Sequence, residues 1–234
     1  MRSEMKLLDD LLQLLFSRNC PGCDRPLVRG EREVCSECLL ELEETKFHER
    51  PKDNELYYRL AGKVPCDGAA ALFYFYKRGR LKRITTAFKY GNRPQVARFL
   101  GEYFGDRLQS APFLRELDWI VPVPLHRSRL AQRGYNQSEM IARGLSRSTG
   151  VPVNTRALGR VIKTSTQTRK SQSERWENVK EAFEVRHPIQ GTIALVDDVV
   201  TTGATLEACI RQLYAQPVPP TGVYVLILGM AGHR

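Results

Sequence analysis

No stretch of this 234-residue sequence is apolar for long enough to cross a bilayer, which takes about 20 residues of helix. The longest strongly apolar run, Ala69 to Tyr76, falls well short. Leu7 to Phe16 is apolar, but Asp9 and Asp10 interrupt it and no small-residue cleavage site follows, so no secretory leader is expected and a cytoplasmic location is. No G-x-x-x-x-G-K-[ST] occurs, which excludes an ATPase of that class. Acid is short of base: Asp and Glu number 26 against 36 Lys and Arg, a net charge of +10. Such a surplus favours polyanionic ligands, either nucleic acid or pyrophosphate esters, with a plainly solvated basic surface as the alternative. With 42% hydrophobic and 26% charged residues, the chain has the composition of a globular protein with one α/β domain and a small appendage.

The stretch around which the chain is organised is Thr192 to Thr205, TIALVDDVVTTGAT. Ile193 to Val196 is a short continuous apolar run, the pattern of a strand buried on both faces of a parallel sheet. Two adjacent carboxylates follow, Asp197 and Asp198, then the small and hydroxylated residues Thr201, Thr202, Gly203, Ala204 and Thr205. Leu206, Cys209, Ile210 and Leu213 then repeat at helical spacing, so the order reads strand, acidic step, polar loop, helix. A loop that opens a helix directs backbone N–H groups outward, and the helix dipole adds positive potential there. Thr hydroxyls add donors, and glycine lets the backbone approach closely. These features suit a phosphate monoester, whereas paired carboxylates suit sugar hydroxyls. A ribose 5-phosphate satisfies both halves.

Near the amino terminus, Cys20-Pro-Gly-Cys23 and Cys35-Ser-Glu-Cys38 form two Cys-x-x-Cys pairs. Each places two thiolates on one knuckle, and two knuckles close a tetrahedral site around Zn²⁺. Disulfides are the alternative, disfavoured because nothing marks the chain as secreted. Cys66 and Cys209 have no partner at motif spacing, and Cys209 reads as core. Leu7, Leu8, Leu11, Leu12, Leu15 and Phe16 make an apolar helical stripe that docks on the knuckles or the main domain, or else meets a partner or a membrane surface. Pro51, Lys52, Asp53 and Asn54 read as a turn or linker.

The core continues with a strand over Ala69–Tyr76, helices ending near Asn92 and Leu108, and a strand over Trp119–Val123 that stops at Pro122-Val-Pro124. His126 to Gln137 reads as a basic, polar loop. Its residues Arg127, Arg129 and Arg133 carry guanidinium groups whose geometry matches phosphate. Asn136 followed by Glu139 resembles a capping box for the next helix. Val161 to Val179 has almost no apolar anchor and reads as a mobile loop or as an insertion without structure of its own. Thr221 to Gly229 supplies the last strand.

The Thr192–Thr205 stretch closely resembles the phosphoribosyl pyrophosphate (PRPP) signature of type I phosphoribosyltransferases. Five features in order, the Cys20/Cys23/Cys35/Cys38 knuckles, Phe88-Lys89-Tyr90-Gly91-Asn92, Val121-Pro-Val-Pro-Leu125, Gln132-Arg-Gly-Tyr-Asn-Gln137 and Asp197–Thr205, resemble the ComF family of competence proteins over nearly the whole chain. The resemblance implies an α/β fold: a type I phosphoribosyltransferase-like core with a central, mostly parallel sheet flanked by helices, plus a small amino-terminal zinc-ribbon segment. It divides the chain into residues 1–50 (helix and zinc ribbon), 51–68 (linker) and 69–234 (phosphoribosyltransferase domain). Asp197 and Asp198 would hold the ribose 2′ and 3′ hydroxyls, and Val199 to Thr205, that is Val199, Val200, Thr201, Thr202, Gly203, Ala204 and Thr205, would complete the PRPP site around the 5-phosphate. Pro124, Leu125, Arg127, Arg129 and Arg133 would take the pyrophosphate. Lys163, Arg169 and Lys170, on a loop that the family closes over bound PRPP, would reach the leaving group and, with the two aspartates, complete the catalytic set. Mg²⁺ would accompany PRPP, and Zn²⁺ would sit structurally in the knuckles. Many members carry a second pair of knuckles, whereas here only Cys66 lies in that region, so a single metal is expected.

The resemblance also implies a link to single-stranded DNA uptake beside a competence helicase. Two readings stand open. In one the chain is a transferase that passes the pentosyl group of PRPP to an acceptor. In the other it is a PRPP-sensing adaptor that binds nucleic acid, with Tyr90 and Tyr135 beside Arg and Lys stacking bases. A third destination for the transferase is nucleotide or cofactor metabolism. In relatives that act on 6-oxopurines an Asp commonly stands where this chain has Thr201, which disfavours hypoxanthine or guanine as acceptor.

Overall fold

The structure is a computed structural model and describes residues 18–161 and 182–232. The Leu7–Phe16 stripe and Lys163, Arg169 and Lys170 lie outside the described residues. Four strands, β1 (Gly68–Phe75), β2 (Trp119–Pro122), β5 (Thr192–Val200) and β6 (Gly222–Ala231), form one parallel sheet in the order β1-β6-β5-β2. A second, two-stranded antiparallel sheet pairs β3 (Leu158–Arg160) with β4 (Phe183–Val185). The central strands are apolar nearly throughout because helices cover the sheet and no face of β5 or β6 meets water along most of its length. The fold is thus α/β with a parallel central sheet, as the sequence implies.

The helices are α1 (Ser36–Leu40), α2 (Glu55–Ala61), α3 (Arg80–Tyr90), α4 (Pro94–Leu108), α5 (Arg127–Arg133), α6 (Gln137–Thr149) and α7 (Ala204–Tyr214). Pro94 starts α4, where a missing N–H costs nothing. Asn136 caps α6 by accepting from the Ser138 N–H, and Gly150 ends it at φ +80°. Glu139 does not close the expected capping box; it pairs instead with Arg143 one turn on, at 2.7 Å. Helix α6 packs on β2 and β5, and α4 packs along α6. That last contact is unusually close, since Gly101 and Gly105 of α4 face Gly144 and Ser148 of α6.

The structure corrects two readings of the sequence. The acidic step is part of the strand: β5 runs through Asp197 and Asp198 to Val200. Strand β6 continues alongside and supplies ladder partners, with Asp197 opposite Ile227, Val199 opposite Gly229 and Val200 opposite Met230. The basic stretch His126–Gln137 contains helix α5, built from good helix formers, capped by the His126 side chain and ended by Gly134 at φ +81°. The turn expected at Pro51–Asn54 is present and leads into α2, which Asn54 caps by accepting from Tyr57 N while it donates to the carbonyls of Pro51 and Ala69.

The amino-terminal segment is continuous with the main core. Cys20, Val34, Cys35 and Cys38 belong to the same buried cluster as the sheet residues. Thr45 N donates to Leu72 O and Tyr74 N donates to Glu43 O, so this segment adds a short antiparallel edge beside β1. Arg93, at the start of α4, reaches the Asn19 carbonyl at 2.8 Å and ties the knuckle to the core.

Candidate functional site

Strands β2 and β5 are neighbours in register, with Val121 opposite Leu195 and Pro122 opposite Val196. Val123 N donates to Val196 O at 2.8 Å, which carries the pairing one step past β2. Parallel strands in register release their following loops on one edge of the sheet, where open α/β folds build sites. Here that register brings Pro124 and Leu125 beside Asp197 and Asp198. The four residues line one cavity of about 180 Å³, together with Arg129, Arg133 and Thr205.

Successive residues on a strand face opposite ways. The two aspartates accordingly have different partners. Asp197 Oδ1 accepts from Ser138 Oγ at 2.7 Å and from the Asp198 N–H at 2.9 Å. Asp198 is almost fully buried; its Oδ1 accepts from Val199 N at 2.6 Å and its Oδ2 lies 2.7 Å from the Lys89 ammonium. Burial, and next the neighbouring Asp198 charge, raise the Asp197 carboxyl to about 7. Burial and the Arg129 charge hold the Arg160 guanidinium below its usual value. The cavity therefore holds a carboxylate pair within a cationic frame of Lys89, Arg129, Arg133 and Arg160.

Lys89, Ser138 and Arg160 were not assigned to the site from the sequence. Lys89 stands within the Phe88–Asn92 motif, the one signal that pointed toward it. Ser138 follows a helix cap and Arg160 lies in a three-residue strand; neither carries a motif.

The other expected site residues divide. Thr205 lines the cavity, whereas Thr201 and Thr202 are exposed on the loop. The Thr201 carbonyl accepts from Arg59 of α2. Gly203 is the N-cap of α7 at φ +86° and makes no side-chain cap, and Leu60 of α2 sits 3.2 Å from where a Cβ would stand. Ala204 N donates to Thr202 Oγ1 at 3.4 Å. Val199 and Val200 are ladder residues, and Val200 is buried in the core. Arg127 is exposed at the start of α5 and does not line the cavity. Tyr135 is held by a hydrogen bond from its hydroxyl to Phe88 O, while Tyr90 is open.

The four knuckle cysteines bring their sulfurs within 4.8 Å of one another. Cys23 Sγ and Cys35 Sγ are 3.7 Å apart, against about 3.8 Å for two sulfurs on a tetrahedral zinc with bonds of about 2.3 Å. Backbone N–H groups of Gly22 and Cys35 donate to Cys20 Sγ, and that of Cys38 donates to Cys35 Sγ, which stabilises thiolate charge. All four are free cysteines in the structure, gathered into one cluster rather than bonded in pairs. Gly22 is required for packing, because a Cβ there would stand 2.7 Å from Cys38 Sγ. The cluster can hold a metal ion such as zinc.

The class that fold and site define is a parallel α/β chain with paired carboxylates at a strand-to-helix loop and a four-cysteine knuckle at its amino-terminal end. By sequence it is ComF-like. It is 35% identical over 134 residues to competence protein F of Haemophilus influenzae, covering 54% of this chain and 58% of that one. It is 43% identical over 97 residues to the DNA utilization protein YhgH of Escherichia coli, covering 41% and 42%. It is 26% identical over 203 residues to competence protein ComFC of Bacillus subtilis, covering 86% and 74%. The alignments thus span about half the length of the first two relatives. No family model matches the chain. Among solved structures, adenine phosphoribosyltransferase of Leishmania tarentolae aligns with 81% of the chain at 12% identity and a TM-score of 0.37. No described helix is long and apolar enough to cross a membrane.

Proposed function

We propose that the chain binds PRPP with Mg²⁺ in the cavity around Asp197 and Asp198, and that it serves the uptake or use of DNA, a reading supported by relatives named for competence and for DNA utilization. The observation that carries the first half is one of convergence. Pro124, Leu125, Arg133, Asp197, Asp198 and Thr205 come from three separate sequence motifs and, with Arg129 between the first two, line a single cavity. Arginines meet a diphosphate, carboxylates meet ribose hydroxyls or a hard cation, and the α7 N-terminus meets a 5-phosphate. The carboxylate oxygens suit Mg²⁺, which neutralises diphosphate charge when bound. Calorimetric titration with PRPP and Mg²⁺ tests this half. Saturable binding supports it, and a flat titration at millimolar ligand overturns it.

In the transferase reading, the chain's own part is to hold PRPP in place and to stabilise charge on the departing diphosphate through Arg129 and Arg133. In the adaptor reading, the same pocket senses PRPP while the basic surface holds a strand. The exposed Arg127 and Arg129 of α5 and the net charge of +10 favour a role for single-stranded DNA in either case. Affinity for an oligonucleotide is then expected to fall steeply with salt, because each phosphate contact releases a counterion. Fluorescence anisotropy across a salt series measures the slope, and binding indifferent to salt, or absent at low salt, refutes this half.

The knuckles complete the proposal as a structural zinc site. Protein purified without added metal is expected to carry one zinc per chain by elemental analysis, and chelation is expected to lower its melting temperature. Four reactive thiols with no zinc in native protein contradict the assignment.

A further inference from the structure

The Lys89 ammonium lies 2.7 Å from Asp198 Oδ2, and the two side chains are 24% and 7% exposed. Lys89 stands in the last turn of α3, and the backbone that carries it is held on both sides. Phe88 beside it is fully buried, the Tyr135 hydroxyl donates to the Phe88 carbonyl, and Gly91 N donates to Ala87 O at 2.8 Å. Other donors serve the remaining partnered oxygens of the acid pair. Ser138 Oγ and the Asp198 N–H reach Asp197 Oδ1, and Val199 N reaches Asp198 Oδ1. Adjacent carboxylates are the donor set of a hard divalent cation, which binds such oxygens at about 2.0–2.1 Å. Here an ammonium already stands in contact with one of those oxygens. A second cation beside it would meet its charge at short range in a largely buried site, where repulsion is strong. A buried carboxylate that loses its counterion, by contrast, is left uncompensated and takes up another cation or a proton.

We propose that Lys89 is the resident counterion of the Asp197–Asp198 pair and closes the pair to a free divalent cation, so that metal enters the cavity only with a ligand that carries its own diphosphate. The second half rests on the reading of this cavity as the PRPP site. Lys89 lines the cavity together with Arg129 and Arg133, so a diphosphate held there draws on the same ammonium. The ammonium thereby determines specificity. Sugar hydroxyls donate to the carboxylates without adding charge, whereas a bare divalent cation adds two charges beside a cation already in place. Lys89 is in this account a specificity-determining residue that acts through Asp198.

The test titrates Mn²⁺ alone, read by electron paramagnetic resonance at pH 8, into wild type, Lys89→Met, Lys89→Arg, Asp198→Asn and the Lys89→Met/Asp198→Asn double variant, with melting curves to show that each is folded. Mn²⁺ prefers oxygen ligands and so reports the carboxylates rather than the thiol knuckles. Lys89→Met is expected to bind Mn²⁺ roughly tenfold or more tighter than wild type. Lys89→Arg, which keeps the charge, is expected to stay near wild type, and the double variant to lose the gain. In the presence of Lys89 the Asp198→Asn change is expected to leave Mn²⁺ binding as it is, an arm that decides the matter even if Lys89→Met does not fold. The proposal is overturned if folded Lys89→Met binds Mn²⁺ no tighter than wild type, if the gain survives in the double variant, or if wild type binds Mn²⁺ through Asp198. The diphosphate half is read with PRPP and Mg²⁺, whose binding is expected to weaken roughly tenfold in Lys89→Met; unchanged binding overturns that half. Failure of the PRPP reading shows separately, as wild type that binds no PRPP, and the Mn²⁺ comparison then still decides whether Lys89 closes the acid pair.

Discussion

Gly144→Ala is expected to destabilise the protein by about 3 kcal/mol, although alanine is the better helix former by about 1 kcal/mol. In a solvated helix interior the methyl group would stabilise. At this position α6 lies against α4 with backbone touching backbone. A Cβ on Gly144 would run into the Arg98 carbonyl oxygen and would also stand 2.7 Å from the Glu102 amide nitrogen and 2.9 Å from the Gly101 carbonyl carbon of the facing helix. Gly101 has the reciprocal contact with the Ile141 carbonyl. These neighbours are backbone atoms of packed helices, so they cannot rotate away, and the helices must separate. Separation loosens a layer that includes the buried Leu100, Phe104, Ile141 and Leu145. Urea denaturation of wild type, Gly144→Ala and Gly101→Ala measures the effect. Alanine variants as stable as wild type, or more so, contradict the close approach.

The larger part of the fold was legible in the sequence because its strands are buried on both faces. Ala69–Tyr76, Trp119–Val123 and the runs ending near Val196 and Gly229 are continuous apolar segments, and each is a strand of the parallel sheet. The knuckle spacing likewise prefigured a gathered thiol cluster. What escaped depends on long-range packing. Whether β5 stops before its carboxylates or runs through them is decided by β6, which lies alongside as far as Met230. The helix over Arg127–Arg133 has no buried residue and so leaves no apolar period to read. Lys89 and Ser138 enter the site because α3 and α6 aim them at β5 from elsewhere in the chain, at separations that no local motif records. Tyr90 and Tyr135 are alike in sequence context and differ only in what the fold places beside them.

Replacing both carboxylates, as Asp197→Asn and Asp198→Asn, is expected to weaken PRPP binding by roughly two orders of magnitude or more. Hydrogen bonds to an ionised carboxylate contribute about 1.5–3 kcal/mol each, and the amide keeps the shape while removing the charge and one acceptor. The fold has little reason to fail. Asp197 holds its proton up to about pH 7 in the folded chain and only to about pH 4 when unfolded, so its carboxyl subtracts stability as pH rises between those values. Asparagine removes that dependence. At position 198 the amide oxygen still accepts from Val199 N, and Lys89, which is partly exposed, is left to solvent. The most direct measurement is therefore calorimetry with PRPP and Mg²⁺ at pH 8, on wild type and on the double variant, with urea denaturation to show that both are folded. Saturable binding to wild type, at least a hundredfold weaker in the folded variant, is the predicted result. A folded variant that binds PRPP as tightly as wild type contradicts the assignment of these carboxylates to the ribose.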